Sequence, residues 1–324
     1  MPVENLRDSI LTNVKIFRFP HSTCRIIGQH TLCGKENLIV SEYKYENIEW
    51  GKNMDIYEII EKVNTKEIMG EEIIFDEKER IVSELLASVR SKDAADNTKP
   101  NIRHNADAEN MYPVFFMPPH GKKKHRLVQG FLPKTNILAA NYYELESLRI
   151  MTKFAPNNPR VKQMIEDTTQ RLKNTCFGNF CMQGECLAAG ISVLRFLAAA
   201  RPEDKEWISK LLTPLGELFD AFGSGQAAIQ KGIPVSYLLM AFTDLNNDET
   251  RRLIDNKKEW LLKLLRQGWI TGKLNNGKIS EMDTYNLLYK YIIRNALGTL
   301  PEFKNIAEHK IYVNEEDNRC YCEI

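Results

Sequence analysis

The chain repeats itself. Leu148-Arg-Ile-Met151 is echoed by Leu194-Arg-Phe-Leu197, and Ala155-Pro156 by Arg201-Pro202, with both the leucines and the prolines 46 residues apart. A fainter third copy is Tyr237-Leu-Leu-Met240, where Met240 lies 43 residues after Leu197. Its turn is Asp244-Leu-Asn-Asn-Asp248, and Trp260-Leu-Leu-Lys-Leu-Leu265 follows. Such a unit cannot bury its apolar face alone, so neighbouring units must stack. Local signals make each unit a pair of helices. Asn158 is placed to cap a helix opening at Pro159, whose missing N–H costs nothing in a first turn. Val161, Ile165, Thr168 and Leu172 then share one face. Pro202-Glu-Asp-Lys-Glu-Trp207 opens the next helix with acids, which suits the positive end of its dipole. Ile208, Leu211, Leu212 and Leu215 form its stripe, and Pro214 is expected to bend or break it. A last helix runs from about Asp283 to Leu297, with Tyr285, Leu288, Tyr289, Ile292 and Ala296 on its buried side. Trp260 and Trp269 are read as packing residues.

From about Asn136 to Gly298 this spacing resembles HEAT-like α-helical superhelices, and also the α/α toroid of terpene-cyclase and prenyltransferase relatives. The resemblance implies an array of helix pairs with a concave or central binding surface. The aspartate-rich motifs of terpene cyclases are absent, so no catalytic residue carries over from those families.

The N-terminal part differs. Val14-Lys-Ile-Phe-Arg-Phe19, Cys24-Arg-Ile-Ile27 and Asn37-Leu-Ile-Val-Ser-Glu-Tyr43 read as strands punctuated by Pro20, Gly28 and Gly34. From Asp55 to about Ser91 the pattern turns helical, with stripes at Ile56, Ile59, Ile60 and Val63 and at Ile81, Leu85, Leu86 and Val89. The polar stretch from Ser91 to Asn110 reads as a linker. The expected fold is therefore mainly α: a small mixed α/β region over residues 1–110, then an α/α helical-repeat domain over 111–324, superhelix or toroid, with a short strand-like C-terminal tail.

Composition narrows the function. With 43% hydrophobic and 27% charged residues and a net charge of +1, the chain lies in the soluble globular range and has no strong overall field. Bulk nucleic-acid binding is not expected. No signal peptide or membrane-length apolar run is read, so the expected location is cytoplasmic, without a membrane partner. Seven cysteines, an odd number, do not suggest a disulfide framework.

Three of those cysteines fall in one stretch, Cys176-Phe-Gly-Asn-Phe-Cys181-Met-Gln-Gly-Glu-Cys186. On one continuous helix each five-residue step would turn about 140° beyond a full circuit and scatter the thiols. Gly178, Asn179 and Gly184 favour a loop that folds back, with a helix starting near Gly184 and Cys186 in its first turn. Three readings follow. The thiols are small buried packing residues. Or they ligate zinc or an iron–sulfur cluster, with Cys320 or Cys322 completing the set. Or Cys186, at a helix start that favours thiolate, is a nucleophile. In that last case Gln183 would help form an oxyanion hole and His309 would be the base, an arrangement that resembles papain-like enzymes. The helical segment between them is wrong for that fold.

The basic run His120-Gly-Lys-Lys-Lys-His-Arg126 is a second candidate: His120, Lys122, Lys123, Lys124, His125 and Arg126 beside Phe115, Phe116 and Phe131 could grip phosphate or RNA. A solvated loop explains it more simply. Acidic pairs such as Glu71-Glu72 and Glu315-Glu316-Asp317 lack the apolar setting that acid–base work needs. No dinucleotide fingerprint, P-loop or His-Glu-x-x-His is present. The leading expectation is an intracellular binding or scaffold protein whose concave helical face takes a protein or peptide. The alternative is a cysteine-dependent enzyme or metal protein built on the Cys176–Cys186 loop.

Overall fold

The structure, a computed structural model, describes residues 26–31, 40–45, 55–90, 111–116, 126–128, 130–133, 136–181, 186–222, 234–270, 281–314, 317 and 319–323. It is mainly helical. The helices are α1 (Ile56–Met69), α2 (Phe75–Ala87), α3 (Asn136–Phe154), α4 (Pro159–Lys173), α5 (Cys186–Ala200), α6 (Lys205–Ala221), α7 (Val235–Leu245), α8 (Asp248–Asn256), α9 (Lys258–Arg266) and α10 (Glu281–Leu297). No described helix is long and apolar enough to cross a membrane.

Helix boundaries follow the local chemistry. Asp55 accepts from the Glu58 N–H at 2.9 Å while Glu58 reaches back to the Asp55 N–H, and Gly70, at φ 78°, ends α1 in the left-handed conformation. Asn158 caps α4 by accepting from the N–H groups of Arg160 and Val161. Asn247 and Thr250 box the start of α8. Helix α6 runs without interruption through Pro214. Burial of Ile208, Leu211, Leu212, Leu215 and Phe219 outweighs the lost hydrogen bond, which alone costs ~3 kcal/mol. In the third copy of the repeat the segment after the turn is divided at Lys257 into α8 and α9.

Helix α3 packs against α4 and α5, α5 against α6 and α7, α7 against α8 and α10, α10 against α1, and α1 against α3. Helices α3 and α5 are the most enclosed. Every residue from Leu138 to Met151 and from Leu187 to Leu197 is buried. Helices α1 and α2 share one core with α3 to α10, so residues on both sides of the 91–110 stretch pack together. Strands β1 (Ile26–Thr31), β2 (Val40–Tyr45), β3 (Trp269–Ile270), β4 (Ile311–Asn314) and β5 (Arg319–Cys322) pair antiparallel in the order β1-β2-β4-β5-β3. This sheet joins the two ends of the chain. Val14–Phe19 lies outside the described residues. Trp260 and Trp269 stand edge-on to Phe219 and Tyr289, with ring centroids 6.5 and 4.9 Å apart.

Candidate functional site

The turn between α4 and α5 is built by its own side chains. The Thr175 hydroxyl donates to the Leu172 carbonyl at 2.7 Å and accepts from the Gly178 N–H at 3.0 Å. The Asn179 amide donates to the Lys173 carbonyl at 2.6 Å and to the Thr175 carbonyl at 3.0 Å. A Cβ at Gly178 would lie 2.1 Å from the Leu172 carbonyl oxygen, so the close approach requires glycine. Phe177 is fully buried and anchors the turn. Helix α6 braces it from outside: Trp207 Nε1–H donates to the Gly178 carbonyl at 2.7 Å, and Lys210 Nζ donates to Asn179 Oδ1 at 3.0 Å. Phe180 then takes the left-handed conformation at φ 59°. Cysteines 176 and 181 flank this clasp, and Cys186 is the first residue of α5.

The fold brings the three thiols together. Cys176 Sγ and Cys186 Sγ stand 3.6 Å apart, and all three sulfurs lie within 4.8 Å of one another. Cys176 is exposed, while Cys181 and Cys186 are half-buried. Burial and then the Cys176 and Cys181 thiols push the Cys186 thiol up to about 12. Burial likewise raises Cys176. The direction is opposite to that expected of a helix start, because burial disfavours the thiolate and the neighbouring sulfurs add to it by repelling one another as anions. A thiophilic cation relieves that repulsion. Zn–S bonds of ~2.3 Å place tetrahedral sulfurs about 3.8 Å apart, close to the Cys176–Cys186 separation. That one pair is therefore spaced as two thiolates on a single soft ion would be.

The other sequence candidates sit elsewhere or outside view. Cys320 and Cys322 are buried on β5, which packs on α9 and α10, and neither joins the thiol group. His309 is an exposed residue just before β4, where its backbone carbonyl accepts from Arg294 Nη1 at 3.1 Å. It is not part of the thiol group either. Arg126 donates to the Gly130 carbonyl at 2.8 Å. Gln183 and the basic residues His120, Lys122, Lys123, Lys124 and His125 lie outside the described residues.

A second polar centre lies among the buried helices and was not singled out in the sequence. Arg149 of α3 pairs with Glu146 at 2.8 Å and with Glu67 of α1 at 2.9 Å. Arg195 of α5 pairs with Glu146 at 2.6 Å and with Asp244 of α7 at 2.7 Å. Asn64 Oδ1 accepts from both guanidinium groups, and the Tyr237 hydroxyl donates to Glu146 and accepts from Ser192. Burial pushes the Glu146 carboxyl up, but Arg149 and Arg195 outweigh it and hold it down at about 2. Glu67 is likewise lowered, by Arg149 and Lys153 against its burial. These two carboxylates are therefore bound anions rather than proton donors. The signal was present: Arg149 and Arg195 occupy the same place in the repeat, and Arg195 is the one charge in the otherwise apolar CLAAGISVLRFLAAA. Asn64, Glu67, Arg195, Asp244 and Asn295 line a cleft of about 70 Å³ at the edge of this centre. That is room for a couple of water molecules.

Comparison with protein-family models, with curated proteins and with solved structures finds no match for this chain.

Proposed function

We propose that this protein binds a single thiophilic metal ion, zinc being the best fit, through Cys176, Cys181 and Cys186. One observation carries the reading: three sulfurs, from both ends of one turn and from the first residue of a helix, converge within 4.8 Å. Packing alone does not require such convergence, since apolar side chains would fill the same space. A cubane iron–sulfur cluster takes one thiolate per iron at separate corners. Sulfurs that touch, as Cys176 and Cys186 do, favour one shared ion instead. The turn is stiffened by Thr175, Asn179 and Trp207, which lowers the ordering cost of binding.

The helical frame is proposed to be a closed α/α ring rather than an open superhelix. The support is that α10 packs on both α7 and α1, returning the series α3, α5, α7 to its start.

The test is direct. Anaerobically purified chain should be colourless and hold, or take up, one zinc per molecule, and Cys181→Ser should weaken zinc binding at least tenfold. A brown chromophore, or reduced protein that takes up no zinc, would overturn the reading.

A binding role for the inner helices has one observation of its own, the cleft beside Asn64, Glu67 and Asp244. A protein or peptide that docks there should lose affinity when Thr243→Arg fills the cleft, and unchanged affinity would exclude that site.

A further inference from the structure

We infer that Cys176 and Cys186 are a modification site: a hydroperoxide oxidises them to a disulfide and the bound ion is released. The release rests on the metal reading above, whereas the choice of pair rests on geometry alone.

The two sulfurs already touch at 3.6 Å. A disulfide needs about 2.05 Å, so the sulfurs must approach by roughly 1.5 Å. Rotation of one side chain can supply that. Cys176 is the exposed member, on a turn, and it can both move and meet a soluble oxidant. Cys186 is half-buried and fixed by α5, so it suits the second step. Cys181, which follows the left-handed Phe180, also lies within 4.8 Å of both sulfurs and interacts with each, so the pair is chosen by the 3.6 Å Cys176–Cys186 contact and by the exposure of Cys176.

The chemistry balances with the peroxide as the only oxidant. The Cys176 thiolate gives an electron pair to the distal peroxide oxygen, the O–O bond breaks, and the alkoxide or hydroxide leaves and takes a proton. Cys176 is now a sulfenic acid. The Cys186 sulfur attacks it, the S–S bond forms, the S–O bond breaks, and the departing hydroxide takes up a proton, from the Cys186 thiol when no ion has displaced it, to leave as water. Two electrons pass from two sulfurs to one peroxide. When an ion is bound, its two thiolate ligands have become a neutral disulfide, and it departs as the free cation.

The experiment uses the full chain, reduced and loaded with one equivalent of zinc, then treated with a few equivalents of hydrogen peroxide. Peptide mass spectrometry under non-reducing conditions maps the linkage, and a chromophoric chelator reads the zinc. The expected result is a Cys176–Cys186 disulfide, an alkylatable Cys181, and one zinc released per disulfide. Cys186→Ser should leave a sulfenic acid at Cys176 that dimedone traps. Cys181→Ser should bind zinc poorly yet still form the Cys176–Cys186 disulfide. A linkage through Cys181, overoxidation without a disulfide, or zinc retained after the disulfide forms would overturn the inference. The same map on metal-free protein decides the pair independently: if reduced protein takes up no zinc, the metal reading fails while the linkage still stands or falls by itself.

Discussion

Two arginines carry the centre of this protein, and each is fully enclosed by groups that need it. Arg195 is 2% exposed and is shared by Glu146 and Asp244. Removing it by Arg195→Met leaves Glu146 with Arg149 alone and strands Asp244. Breaking a buried pair in this way costs about 3–5 kcal/mol. A urea titration should show a loss of that size with little change in far-ultraviolet dichroism at zero denaturant. The same network sets an acid limit. Glu146 titrates lower in the folded chain than in the unfolded one, so its contribution is full above its ordinary carboxyl pKa of 4.5 and drains away as pH falls toward about 2. The urea midpoint should therefore hold from pH 7 to about 5 and drop below that. Glu146→Gln should flatten the drop, at the expense of stability at neutral pH.

Helices here are specified mostly by their ends and stripes. Asn158 caps α4 as its position before Pro159 suggested, and Asn158→Ala should cost about 1 kcal/mol, read from thermal unfolding. The turn after α4 depends on tertiary help. Trp207→Phe keeps the ring but removes the donor to Gly178, for a net loss of about 1 kcal/mol. It should also weaken zinc binding, because the turn that spaces the thiols loses its brace. An unchanged affinity would mean the turn holds its shape alone. The Thr175 and Asn179 clasp was only half legible: Gly178 and Asn179 marked a turn, but which carbonyls they would meet depends on where α4 ends and α6 begins. Cys186 at the first residue of α5 was legible from Gly184. The upward push on its thiol was not, since that arises from burial and then from two other sulfurs brought near by folding. Pro214 shows packing overriding a local rule, because six buried apolar side chains keep α6 continuous through it.

At the scale of the whole molecule, early and late parts of the described chain meet. Asn295 of α10 donates to the Ile68 carbonyl of α1 at 2.7 Å across 227 residues, and β2 pairs with β4. Asn64 lies under both arginines. Residues 55–90 therefore belong energetically with the helices that follow the polar stretch, and calorimetry should find one cooperative transition. A chain lacking residues 1–90 should lose that transition, whereas a separately stable repeat domain would keep it. The sequence by itself determined the mainly helical class, several caps, and part of the strands near both ends, though β1 runs on through Gly28, because periodicity and capping are local. Only the tertiary structure decided which helices close on which, that Arg149 and Arg195 share one carboxylate, and that three thiols spaced five residues apart converge while Cys320 and Cys322 do not join them. Charge pairing and sulfur contacts are fixed by distances through space, and those exist only once long loops have brought separate helices together.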